Sequence, residues 1–354
     1  MNGGSAVGMR GILFYRKGSR MQSRGIEYLA SLTHSFQEKK IAVVGDLMLD
    51  AYTWGKVNRI SPEAPVPIVQ VTRRSRCLGG AANVMRNIVS LGASAAAFGV
   101  IGEDGNGEIL RGLLEKTGID YSGVIVDRDR PTTFKERIIA GSQQLLRLDD
   151  ELQTQVESRI REQLLDRFEK YLKKNRPDAV ILEDYAKGLF SRDSAQRIID
   201  LCNRNGIMVS LDPNPRNPMR LQGLTLMKPN RAEAYSLAAV PPPLGEWTME
   251  GLQEVAQAIR RDWHVKYLLV SLAEHGMALF LEDGGCKVIP TRAREVFDVS
   301  GAGDTVIAAS TLVLCVKDDP VSSAEIANYA AGIVVGKLGT ATVTVEELLE
   351  YMKL

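Results

Sequence analysis

Cysteine is scarce in this 354-residue chain: Cys77, Cys202, Cys286 and Cys315 are far apart, and none forms a C-x-x-C pair. Histidine is scarcer still, with His34, His264 and His275 scattered along the sequence. A structural zinc site needs clustered thiolates and imidazoles, so that class is excluded. Free buried thiols in a reducing cytoplasm are the expectation instead. An excess of one charge is also missing, because 44 Lys and Arg face 43 Asp and Glu, for a net charge of +1. Nucleic acid and acidic membrane surfaces call for a strong basic field, so neither is an expected partner. No apolar run reaches the ~18 residues of a spanning helix. There is no internal repeat and no low-complexity tract. The apolar patch "GILFY" near the start is too short for a secretory leader. It sits among Arg10, Arg16, Lys17, Arg20 and Arg24. Residues 1–37 therefore read as a poorly ordered basic extension, and 38–354 as the working domain.

What is present is an ordinary soluble composition, 45% apolar and 25% charged, enough for a large core. "IAVVGD" from Ile41 is a short apolar run ending at a glycine. "SAAAFGVIG", "AVILED", "GIMVSLD" and "YLLVSL" repeat that pattern at Ser94, Ala179, Gly206 and Tyr267. Asn83–Leu91, Glu108–Thr117, Leu152–Lys174 and Arg192–Arg204 show the three-and-four spacing of helices. Strand alternating with helix predicts an α/β fold, with a mostly parallel sheet covered on both faces. Ligands of such sheets bind beyond the carboxyl ends of the strands. Those ends carry Asp46, Glu183, Asp184, Asp212 and Ser271. Two segments break the rhythm. Ala51–Arg74 alternates and holds three prolines, and Thr132–Asp150 reads as two strands with a turn at Gly141. Together they predict a small β lid whose strand edges invite pairing with a second copy. "LEDGGCKVI" from Leu281 reads as a hairpin.

Two glycine pairs stand before helices. In "VFDVSGAGDTVIAA", Gly301 and Gly303 precede Asp304 and an apolar run. Amides at a helix start lack partners and carry the positive end of the helix dipole. Glycines bare them to a ligand, which makes an anion hole beside a carboxylate base. That pairing suits phosphoryl transfer to a hydroxyl. Read alone, the same residues make a tight turn with a charged helix start. The pattern is neither the dinucleotide fingerprint, which has a third glycine, nor a phosphate loop ending in G-K-[ST]. The second pair, Gly79 and Gly80 in "LGGAANVMRNIVSLG", leads a helix carrying Asn83.

With "GGAAN" at 79–83 and "DVSGAGD" at 298–304, the chain resembles the ribokinase-like, or PfkB, family of carbohydrate kinases over roughly residues 38 to 350. The resemblance implies a ribokinase-like three-layer sandwich with lid segments near 51–74 and 132–150. It implies Asp304 as general base, with the amides of Gly301, Ala302 and Gly303 as the anion hole. It also implies ATP and Mg2+. "KPNRAEA" would bring Asn230 and Glu233 to the nucleotide phosphates, with Glu233 at the metal, although the same residues alone read as a helix cap. Ser271 and Gly276 would lie along the nucleotide and Asn328 near the adenine. Ala273 stands where many members have glycine.

"GDLMLDAYTWGKVNRISPEAPVPIV", "TTFKERIIAGSQQLLRLD" and "EDYAKGLF" look like the heptose-7-phosphate kinases of lipopolysaccharide core synthesis. That likeness implies a sugar phosphate as partner, phosphorylated on its anomeric hydroxyl in the cytoplasm. Asp46, Asp50, Gly79, Gly80, Asn83, Gln144 and Asp184 would face the sugar. Lys135, Arg137, Arg147 and Lys187 would supply cations for its phosphate. The lid would join two copies into a homodimer. "DPNPR", with Asn214 and Arg216, looks more like fructokinases and keto-deoxygluconate kinases, so a sugar kinase of that type is the second reading. A non-catalytic sugar-phosphate sensor is the third, and the intact Asp304 speaks against it.

Overall fold

Strands buried on both faces need apolar side chains at every position, which is why the short runs above read without alternation. The computed structural model describes residues 25–141 and 143–353. The expected basic extension lies outside the described residues up to position 24. From there the expectation of a loose segment to residue 37 is corrected, because α1 (Ile26–Thr33) buries Leu29 and Leu32 and the following turn buries Phe36.

After β1 (Lys40–Gly45) the chain leaves the main sheet at once into β2 (Leu47–Ile60) and β3 (Pro67–Gly80). It returns through α2 (Ala81–Ser90), β4 (Ser94–Gly102), α3 (Gly105–Thr117) and β5 (Asp120–Asp127). A second excursion makes β6 (Thr133–Ala140) and β7 (Gln143–Asp150). Then follow α4 (Ser158–Asn175), β8 (Ala179–Glu183), α5 (Arg192–Arg204), β9 (Met208–Asp212) and β10 (Leu226–Met227). The next elements are α6 (Arg231–Leu237), α7 (Met249–Trp263), β11 (Tyr267–Ser271), β12 (Met277–Phe280) and β13 (Cys286–Ile289). Three helices close the chain: α8 (Ala302–Val316), α9 (Pro320–Val334) and α10 (Val345–Lys353).

The main sheet has nine strands in the order β13-β12-β11-β10-β9-β8-β1-β4-β5. All pairs from β11 to β5 are parallel, and the β11–β12–β13 hairpin is antiparallel. Alternate residues feed two separate cores. Ile41 and Val43 of β1 pack with α2, α8 and α9, while Ala42 and Val44 pack with α4, α5 and α7. This is the helix–sheet–helix sandwich expected.

The small sheet has the order β3-β2-β6-β7. Its first ribbon is longer than the 51–74 expected, since β2 pairs with β3 from Leu47–Gly80 out to Ile60–Pro67. The root is buried and the tip exposed. β2 starts two residues beyond β1, so the ribbon rises from the carboxyl end of the main sheet and stands over the strand ends. Among the described residues, no helix is long and apolar enough to cross a membrane.

Candidate active site

The site grows from the start of α8. Gly301 has φ +79°, a left-handed conformation that lets the chain turn sharply into the helix. No side chain caps that helix end. A Cβ on Gly301 would stand 2.8 Å from Asn83 Nδ2, and one on Gly303 would stand 3.1 Å from Lys228 Nζ. Gly301 is therefore set by the turn and by close packing, and Gly303, already inside α8, by its closeness to Lys228. One of the three expected amides is corrected here. Ala302 N–H donates to Val299 O at 3.2 Å, because the tight turn brings that carbonyl beneath it.

Asp304 is buried in the first turn of α8. Its Oδ2 accepts from Asn83 Nδ2 at 2.6 Å and its Oδ1 from the Tyr185 hydroxyl at 2.8 Å. Burial pushes its carboxyl above the ordinary range, and the two donors with nearby Lys228 pull it back. Behind it, Glu183 at the end of β8 and Asp212 at the end of β9 offer oxygens within 4.8 Å of one another and of Asp304. Lys228 Nζ pairs with Asp212 Oδ2 at 2.7 Å. Glu183 is buried with Oε2 unpartnered, and burial beside two carboxylates raises its pKa strongly. Such an all-oxygen group with an unused oxygen suits a hard cation such as Mg2+.

On the lid side, Asp50 is buried and pairs with Arg137 at 3.0 Å. Gly79 lies against that carboxylate, with a would-be Cβ 2.5 Å from Asp50 Oδ2, and Gly80 packs on Met48. Asp46 anchors the loop after β8 through one of its two carboxylate oxygens. Its Oδ2 accepts the amides of Tyr185 and Lys187 at 2.8 and 3.1 Å, which shapes the loop after β8. Asp184 accepts from Ala186 N and Asn217 Nδ2, and its pKa rises to about 7 through burial and the nearby Asp46. The lid cations are not free either. Lys187 pairs with Glu151, Lys135 with Asp149 and Glu151, and Arg147 with Asp149. Gln144 is exposed on β7 opposite Ile139.

The residues expected along the nucleotide lie at the start of α6, at and just beyond the end of β11, and in α9. Asn230 Oδ1 accepts Glu233 N at 3.0 Å, and Glu233 Oε2 accepts Asn230 N at 2.7 Å. Glu233 is thus committed to a capping box on α6, and the carboxylate cluster forms on β8 and β9 instead. Ser271 lies beside Asn230 at the sheet's carboxyl edge. Gly276, at φ +89°, closes the turn after β11 where a Cβ would meet Ile289 O at 2.1 Å. Ala273 in that turn has φ +52°. Asn328 on α9 is buried and donates to Pro290 O at 2.6 Å, which fixes the segment after β13.

Tyr185 and Lys228 escape sequence reasoning as site residues, and Glu183 was noted only as a polar group at a strand end. The signal available was position: Glu183 ends a strand, Tyr185 follows it, and Lys228 follows β10.

Comparisons with known proteins identify the family and the fold. A model of the pfkB family of carbohydrate kinases matches residues 38–347. The bifunctional protein HldE of Sulfurimonas denitrificans is 40% identical over 312 residues, which is 88% of this chain and 64% of that protein. HldE of Geotalea uraniireducens is 40% identical over 93% of this chain and 65% of its own length. This chain thus spans under two thirds of the length of these relatives. Among solved structures, Arabidopsis thaliana ribokinase complexed with ribose and ATP matches with a TM-score of 0.67 and 19% identity, covering 89% of this chain and 99% of that one. Escherichia coli phosphofructokinase-2 in complex with substrates and products matches at 0.72 and 17%, covering 89% and 98%. The chain belongs to the pfkB family of carbohydrate kinases.

Proposed function

We propose that the chain transfers the γ-phosphoryl group of ATP to the anomeric hydroxyl of D-glycero-β-D-manno-heptose 7-phosphate, giving the 1,7-bisphosphate for ADP-heptose synthesis. The observation that carries this reading is Asp304, a buried carboxylate held by Asn83 and Tyr185 at an uncapped helix start. A sugar hydroxyl set against Asp304 gives up its proton as its oxygen bonds to phosphorus. The bond from phosphorus to the bridging oxygen breaks, and ADP leaves. The open amides at the start of α8 hold the charge on the moving group. Mg2+, when bound, would neutralise phosphate charge, and Glu183 and Asp212 beside Asp304 are the residues to hold it.

The heptose substrate is supported by the 40% identity with HldE proteins and by the lid and post-β8 sequences. In this reading Arg137 and Lys187 exchange their carboxylate partners for the sugar's phosphate. One observation favours the second reading, a plain sugar of the fructokinase or keto-deoxygluconate kinase type. Every lid cation assigned to phosphate already carries a carboxylate. ADP release with heptose 7-phosphate, fructose, fructose 6-phosphate and ribose side by side separates the two. Turnover with the heptose phosphate alone supports the proposal, and turnover with a plain ketose overturns it.

Two further proposals accompany the reading. The lid would form a homodimer through exposed Val57, Ile60, Val71, Leu146 and Leu148. The four free cysteines suit a cytoplasmic setting.

A further inference from the structure

The loop between α9 and α10 touches more of the machinery than its sequence, "KLGTAT", suggests. Thr340 is half-buried in it. Its amide donates to the Tyr52 hydroxyl on β2 at 3.3 Å. Its hydroxyl lies 3.2 Å from Cys77 Sγ on β3. Its carbonyl accepts from the Arg86 guanidinium on α2. Its methyl group faces Gly301, 3.5 Å from where a Cβ would be. Next to it, Gly339 N donates to Asp298 Oδ2 at 3.1 Å, and Asp298 Oδ1 accepts Ser300 N at 2.9 Å.

Tyr52 is the lid's half of this junction. It is only 5% exposed, and the Arg137 guanidinium lies 5.3 Å from its ring centre. Arg137 in turn holds Asp50. A continuous set of contacts therefore runs from the Asp50–Arg137 pair under the lid, through Tyr52, to Thr340. From there it reaches Asp298 and the turn at Gly301.

We propose that Tyr52 and Thr340 are positioning residues that couple the seating of the lid to the shape of the loop leading into α8. In this set of contacts two lid residues, Tyr52 and Cys77, reach Thr340 and neither touches Gly301 or Gly303, and we assign the alignment to the Tyr52 bond, which holds the loop's backbone. When the lid lifts, Tyr52 withdraws its oxygen and the turn ahead of α8 loses a support. Phosphoryl transfer is then favoured when acceptor and lid are both in place. The proposal rests on membership of the kinase family and on Asp304, not on which sugar is accepted.

Coupling of this kind is reciprocal: if the lid orders the loop, a nucleotide that orders the loop must also steady the lid. Mg2+–ATP alone is therefore the probe, with no sugar needed. In the wild type it is expected to slow hydrogen exchange over residues 298–305 and also over lid residues 47–57 and 133–140. In Tyr52→Phe, which removes one oxygen and keeps the ring, the slowing is expected at 298–305 only. Turnover of whichever sugar the panel identifies should fall roughly tenfold, and that sugar should tighten Mg2+–ATP binding less than in the wild type. Thr340→Ala keeps the backbone N–H and should keep the coupling. Lid protection that survives in Tyr52→Phe, or that is missing in the wild type, overturns the proposal. So does its loss in Thr340→Ala alone.

Discussion

Asn83 donates its side-chain amide to Asp304 across 221 positions of sequence, with Nδ2 2.6 Å from Oδ2. The bond joins the first turn of α2 to the first turn of α8, so the two glycine-led motifs meet at one carboxylate. Replacing Asp304 by Asn keeps its shape and removes its ability to take a proton. Turnover should fall by roughly 10²–10⁴ while ATP and sugar binding stay near wild type. Titration calorimetry beside steady-state rates checks this, and an unchanged rate would remove Asp304 from the role of base.

The pH dependence follows from the donors around Asp304. The base works when ionised. Burial raises its pKa, and the hydrogen bonds from Asn83 and Tyr185 lower it. Tyr185→Phe deletes one of those donors, so the carboxyl should hold its proton to higher pH. The acid limb of the kcat/KM profile is expected to move upward relative to wild type. A limb that stays put would mean that Tyr185 only packs.

The lid's ion pairs should be sensitive to acid. Hydrogen bonds from Arg147 and Lys135 hold Asp149 down to about 2. Lys135 and Lys187 likewise outweigh burial and hold Glu151 at about 2. Both values lie below the ordinary ~4 of free carboxylates, so the folded lid favours the ionised forms. Their contribution is complete above pH ~4 and is lost as pH falls through about 2. Hydrogen exchange in residues 133–150 is expected to rise over that interval before the central sheet opens. Glu151→Gln should bring the same change to neutral pH.

Ala273 occupies a left-handed position, φ +52°, in the turn that follows β11. A side chain there costs ~1 kcal/mol or more. Ala273→Gly should relieve most of it, with part offset by the freer unfolded chain. A net gain of ~0.5–1 kcal/mol in chemical denaturation is expected. A loss of stability would show that the Cβ has a packing role.

The main sheet was legible because its strands are covered on both faces. "SAAAFGVIG" and Arg192–Arg204 are β4 and α5 to the residue. β5 was not, since "DYSGVIVD" at the sheet edge mixes exposed and buried positions. Nor was β10, whose two residues leave no pattern. In the site, Asp304 and Asn83 stood out by their glycines. Tyr185 did not, because its value to Asp304 arises only when the ends of β8 and α8 converge over 119 positions. The lid cations were visible as charges, but Asp149 and Glu151 two residues apart gave no hint that they would neutralise them. Ala302 was read as an open amide, and only the fold shows Val299 O beneath it.

β1 lies between β4 and β8, and the second of these neighbours begins at Ala179. A chain emerging from the ribosome therefore carries Ile41–Gly45 with one hydrogen-bonding edge bare while more than a hundred further residues are made. At ordinary elongation speeds that interval is roughly ten seconds. The same distance must be closed in refolding, where long-range parallel pairing is slow. The topology that sets Asp304 against Glu183 thus makes the newborn amino-terminal half the vulnerable stage in this protein's life, when its exposed edge is open to mispairing and to capture by chaperones.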